Sequence, residues 1–112
     1  MSLFKVSGPE PLADGSQLLI LAGDLDTRGN KLMERTLARL AERDIRRVTV
    51  DLDRLTFISR SGVALLLRLV YEVREAGGDA VFVNIPMSVR SVFRLLEIED
   101  VIAVRDATAA DA

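Results

Sequence analysis

The sequence predicts an α/β domain: a single-layer mixed β-sheet, with an opening hairpin followed by parallel β-α-β units, packed with helices. Three observations predict it. Short apolar runs bounded by turn residues recur along the chain, with stretches of helical periodicity between them. Hydrophobic residues make up 49% and charged residues 29%, the balance of a chain that folds rather than stays disordered. The length of 112 residues suits one domain. It is expected to span 1–112, with its core over 3–104 and a flexible tail over 105–112.

Residues 3–6 read as a short edge strand, followed by the punctuation Gly8-Pro9-Glu10-Pro11. The apolar run 17–22 reads as a buried strand, and Asp14-Gly15 joins the two as a hairpin. Residues 23–27 are expected to close that strand as a loop. A helix follows over 30–42, with Leu32, Met33, Leu37, Leu40 and Ala41 on its apolar face. The β-branched run 48–52 is the next strand, with Asp51 and Asp53 read as turn residues at its end. A helix over 62–75 is apolar enough to be packed nearly all round, and Gly77-Gly78 stops it. Residues 80–83 form a further core strand. Pro86 suits the first turn of a helix whose face carries Val89, Val92, Phe93 and Leu96. A last strand is expected over 101–104. Right-handed crossovers bring the strand C-terminal ends to one edge. Three loops, 23–27, 58–62 and 84–87, are expected to converge there.

Composition removes several chemistries. The chain has no cysteine and no histidine, so disulfides, thiol nucleophiles and Ser-His-Asp hydrolysis are excluded. Net charge is −2, so direct nucleic-acid binding is not expected, although 13 of the 15 basic residues are arginine. No apolar run approaches the ~18 residues that span a bilayer. Without a secretory h-region at residues 1–5, the expectation is a soluble cytoplasmic protein.

Three loops carry candidate chemistry. Asp24-Leu25-Asp26-Thr27 resembles the nucleophile loop of haloacid-dehalogenase-like phosphatases, with Asp24 attacking, Asp26 as acid/base and Mg²⁺ neutralising phosphate. Such enzymes need a later lysine, and the only lysines are Lys5 and Lys31. A solvated loop capping the next helix explains the same residues. Asp51 and Asp53 could take a phosphoryl group as in receiver domains, which again place a lysine on a later strand. Ser59-Arg60-Ser61-Gly62 precedes the apolar helix. Serine caps helices and glycine turns tightly, yet a helix start also suits a hydroxyl that accepts a phosphoryl group.

Together these pieces resemble the STAS domain, the fold of bacterial anti-sigma factor antagonists. Gly23-Asp24-Leu25-Asp26 is similar to that family's Gly-Glu-Leu-Asp turn, and Val48-Thr49-Val50-Asp51-Leu52 to its central strand. Leu55-Thr56-Phe57-Ile58-Ser59-Arg60-Ser61-Gly62-Val63 is similar to its signature, where a hydrophobic pair precedes Asp-Ser-Ser-Gly-Leu. The resemblance implies a regulatory binding protein, not an enzyme and with no cofactor. Its partner is an anti-sigma factor with serine kinase activity. By position the phosphorylated serine is Ser61, with Ser59 as a competing acceptor, and Asp24, Asp26, Ser59, Arg60, Ser61 and Gly62 are expected to meet the partner. Ser59 and Arg60 depart from the signature, replacing an aspartate and a small residue. A second reading from the same resemblance is a cytoplasmic accessory subunit that docks on the ATPase of a lipid-transport ABC system.

Overall fold

The computed structural model describes residues 2–105. Its five strands form one sheet in the order β1-β2-β3-β4-β5. They are β1 (Lys5–Pro11), β2 (Gln17–Leu25), β3 (Arg47–Ile58), β4 (Asp79–Val83) and β5 (Ala103–Arg105). β1 pairs antiparallel with β2, and every later pairing is parallel. The helices α1 (Asn30–Glu42), α2 (Arg60–Glu75) and α3 (Met87–Leu95) connect the parallel strands. The expected hairpin and β-α-β succession are therefore present. The expected tail over 105–112 lies outside the described residues, save Arg105, which ends β5.

Alternation decides which face of the sheet is covered. Leu19, Leu21 and Leu25 of β2, Val48, Val50 and Leu52 of β3, and Ala80 and Phe82 of β4 are buried, while the residues next to them are half-buried or, as at Arg47, Asp53 and Asp79, exposed. The helices supply the other half of this core. α1 contributes Met33, Thr36, Leu37 and Leu40, an i, i+3, i+4, i+7 stripe. Thr36 is buried because its hydroxyl donates to the Leu32 carbonyl at 2.9 Å. Ala41, expected on this face, is exposed because it lies beyond the edge of the stripe. α2 buries Gly62, Val63, Leu65, Leu66, Leu69, Val70 and Val73. Ala64, Arg68 and Tyr71 remain exposed, so the helix packs on one broad side rather than all round.

Several boundaries move, for physical reasons. β1 continues through Pro11 because a bulge between Ser7 and Glu10 absorbs the Gly8-Pro9 pair at the sheet border. β2 continues to Leu25, so 23–25 is strand and not loop. β3 runs unbroken to Ile58, and Asp51 and Asp53 lie inside it rather than in a turn. Two register shifts against β2 accommodate the extra residues, one between Ile20 and Ala22 and one between Gly23 and Asp24. The Asp51 carboxylate accepts from the Asp53 amide at 2.9 Å, which stabilises the first shift locally. The last strand sits at 103–105, since the segment ahead of it makes turn bonds, Ile102 N donating to Ile98 O at 3.0 Å. No helix among the described residues is long and apolar enough to cross a membrane.

Candidate functional site

Two of the three expected loops meet. The Ser59 amide donates to the Leu25 carbonyl at 2.9 Å, tying the end of β3 to the end of β2. The third does not join them at that level. β4 ends at Val83, which pairs with Asp51, well before β3 ends at Ile58, so residues 84–87 leave the sheet earlier.

Ser59 is the N-cap of α2. Its backbone is extended and its Oγ accepts from the Gly62 amide at 3.1 Å. The helix therefore begins at Arg60, two residues before the expected start, and Ser61 lies in its first turn. The two hydroxyls are 2.9 Å apart, and both serines are half-buried. Arg60 between them is exposed, with no polar partner among the described residues. Gly62 has helical geometry, so the expected tight turn is not its role. A Cβ there would stand 2.7 Å from the Leu25 carbonyl oxygen and 2.8 Å from Leu25 Cγ. Glycine is required because helix and strand approach too closely for a side chain.

Asp24 acts as a clasp. Thr56, the extra residue at the second register shift, donates its Oγ1 to Asp24 Oδ1 at 2.6 Å. The Ser2 amide donates to Asp24 Oδ2 at 3.2 Å, and the Asp24 amide donates to the Ser2 carbonyl at 3.1 Å. The chain from Ser2 to Phe4 is thereby strapped across Gly23, whose φ of +83° and contact with Leu3 leave no room for a side chain. Phe4 is buried against Gly29.

Asp26 holds the turn into α1. It accepts from the Arg28 amide at 3.0 Å and forms an ion pair with Arg28 Nη2 at 2.7 Å. The hydrogen bond from the Arg28 side chain holds the Asp26 carboxyl below the usual carboxylate range and raises Arg28 in return. Leu3, Phe4, Asp24, Asp26, Arg28, Gly29 and Leu32 line a shallow pocket of about 120 Å³ beside this turn. Both carboxylates are thus committed to neighbours in the chain, and no cluster of three or more metal-ligating side chains exists among the described residues.

Residues 13–111 match the sequence signature of the STAS domain. The chain belongs to the STAS domain family. It is 32% identical over 100 residues to BtrV of Bordetella bronchiseptica, a protein named as a candidate anti-sigma factor antagonist; the match covers 87% of this chain and 86% of that one. The fold is that of the anti-sigma factor antagonist SpoIIAA in its unphosphorylated form, with a TM-score of 0.76 at 22% identity, covering 97% of this chain and 91% of that one. The phosphorylated form of SpoIIAA from Bacillus matches with a TM-score of 0.68 at 19% identity, covering 97% and 95%.

Within this STAS domain, Asp24, Asp26, Ser59, Arg60, Ser61 and Gly62 all gather at the shared end of β2 and β3. Sequence reasoning missed Thr56, Arg28 and the Ser2–Phe4 strap. Thr56 and the strap act through long-range pairing, for which a single chain carries no local signal, whereas Arg28 lies two residues from Asp26, a local spacing that sequence could have offered. It also missed Phe57, an aromatic side chain 52% exposed two residues before the cap.

Proposed function

We propose that the protein is an anti-sigma factor antagonist, a binding switch without catalytic activity of its own, and that Ser61 is its phosphoacceptor. The observation that carries the reading is the Ser61 hydroxyl, set in the first turn of α2 and 2.9 Å from the capping Ser59. The partner is an anti-sigma factor that is also the serine kinase, and the reading carries a cytoplasmic location with it. The partner meets the edge formed by Asp24, Asp26, Ser59, Arg60, Ser61 and Gly62, with Phe57 offering apolar area beside it.

The switch follows from charge. Phosphate adds about −1.5 to −2 charges at neutral pH. The helix start and Arg60 offset part of that charge within the protein, so the fold persists. A partner packed on this edge has to bury the dianion, which is costly unless it is paired. Release without unfolding is the result. Ser59 is the poorer acceptor, because its oxygen already serves the helix and losing a cap costs about 1 kcal/mol.

The test incubates the protein with its cognate kinase and ATP, maps the site by mass spectrometry, and compares partner affinity for wild type, Ser61→Ala and Ser61→Asp. Modification of Ser61 with loss of binding in Ser61→Asp is expected. Modification of Ser59 alone overturns the site assignment. If nothing is modified and Ser61→Asp binds as wild type does, the transporter-subunit reading takes its place.

A further inference from the structure

α1 carries a row of like charges. Lys31, Arg35, Arg39 and Arg43 follow one another at four-residue spacing, the last at the C-cap, and all four are exposed. Residues four apart on a helix are surface neighbours, so the row forms a ridge with a cation about every 6 Å over a length of about 18 Å. Like charges at this spacing weaken a helix. The same chain uses the opposite arrangement on α2, where Arg68 and Glu72 pair at 2.7 Å.

Among the described residues no side-chain partner relieves the ridge, and only its C-terminal members, Arg39 and Arg43, stand where the helix dipole favours a cation. Among the described residues none of the four cations forms a hydrogen bond or ion pair through its side chain. Glu34 and Glu42 lie on the same helix within reach of Lys31 and Arg39 by spacing, yet they make no ion pair with them either. The N-terminal end is further disfavoured. Gly29 caps it without a side-chain hydrogen bond, no acidic residue stands in its first turn, and Lys31 sits at the positive end of the helix dipole. A local arrangement that costs stability and is compensated by no internal contact is what a binding surface leaves behind.

We propose that Lys31, Arg35, Arg39 and Arg43 form a docking ridge for an acidic helix of a partner protein. The row turns about 40° around α1 at each step, so a partner helix meets its middle, Arg35 and Arg39, most directly, and the long side chains of Lys31 and Arg43 reach it from either side. The narrow width of the row favours a helix over a nucleic acid. Glu34, Ala38 and Glu42 form a parallel row beside it, and a duplex wide enough to cover α1 would meet those carboxylates. This inference goes beyond the Ser61 switch and does not depend on it.

The test titrates the full-length protein with an alanine-based helical peptide carrying Glu at every fourth position, followed by amide chemical shifts at low salt. The controls are a peptide of the same composition with its Glu residues scattered around the helix, and a short DNA duplex. Saturable shifts along 31–43 are expected, with affinity for the ordered peptide several-fold above the scattered one and falling several-fold between low and physiological salt. Arg35→Glu with Arg39→Glu is expected to weaken binding about tenfold. Equal binding of both peptides, tighter binding of the duplex, or shifts away from α1 each overturn the proposal. Ser61→Asp should bind the peptide as wild type does, which separates this ridge from the switch.

Discussion

Replacing Gly62 by alanine sets two effects against each other. Alanine is the better helix former, worth about 1 kcal/mol at a helical position. Against that, the new Cβ would stand 2.7 Å from the Leu25 carbonyl oxygen, 2.8 Å from Leu25 Cγ and 3.0 Å from Ile58 Cγ1. The Leu25 side chain could rotate away, but its carbonyl belongs to the β2 backbone and also accepts the Ser59 amide at 2.9 Å. The first turn of α2 must therefore move off the strand, stretching that bond. Overpacking of this kind costs about 1–3 kcal/mol, and a fixed backbone atom puts the cost near the upper end. The net expectation is a loss of about 2 kcal/mol, or roughly 8 °C in thermal midpoint for a domain of this size. Urea unfolding followed by circular dichroism measures it, with the slope unchanged and the midpoint lowered. A variant as stable as wild type, or more so, would refute the close approach and show that propensity governs the position.

Three further outcomes are expected. Leu66, fully buried in α2, should lose about 2–5 kcal/mol on truncation to alanine, seen as a lowered urea midpoint; a midpoint near wild type would place it outside the core. Asp24→Ala should leave the fold intact but unfasten the strap, speeding hydrogen exchange of the residue-24 amide by about tenfold, the worth of roughly one charge-assisted bond; unchanged exchange would deny the clasp. Because Asp26 titrates lower in the folded protein, its contribution is present above the unfolded carboxylate value near pH ~4 and is lost as pH falls through the folded value. The difference in thermal midpoint between wild type and Asp26→Asn should be constant above about pH 5 and shrink below about pH 4; a difference that grows on acidification would reverse the sign.

Much of the fold was legible because it rests on periodicity. The α1 span and the apolar stripe of α2 follow from spacing, and the hairpin from Asp14-Gly15, where Gly15 adopts φ +89°. The bulges were not legible. Asp51 and Asp53 look like turn formers, and only the pairing of β3 with β2 shows that the strand carries extra residues there. The site was legible through its signature, down to Ser61 and Ser59, but not the division of labour between them. Which serine caps depends on where the helix begins, and the Ser59–Leu25 bond decides that from a distant strand. Thr56 and Ser2 reach Asp24 from 32 and 22 residues away, separations over which one sequence holds no record of contact.

The β1 border of the sheet is built so that it does not readily recruit another chain. Along β1, Pro9 and Pro11 present no N–H to a newcomer, and the bulge between Ser7 and Glu10 breaks the straight run that a foreign strand would need. Under the proposed switch, the protein is released and recaptured and spends much of its time unaccompanied. Such a chain gains from borders that resist cross-β growth, and concentrated samples should remain free of fibrils while the native sheet is intact.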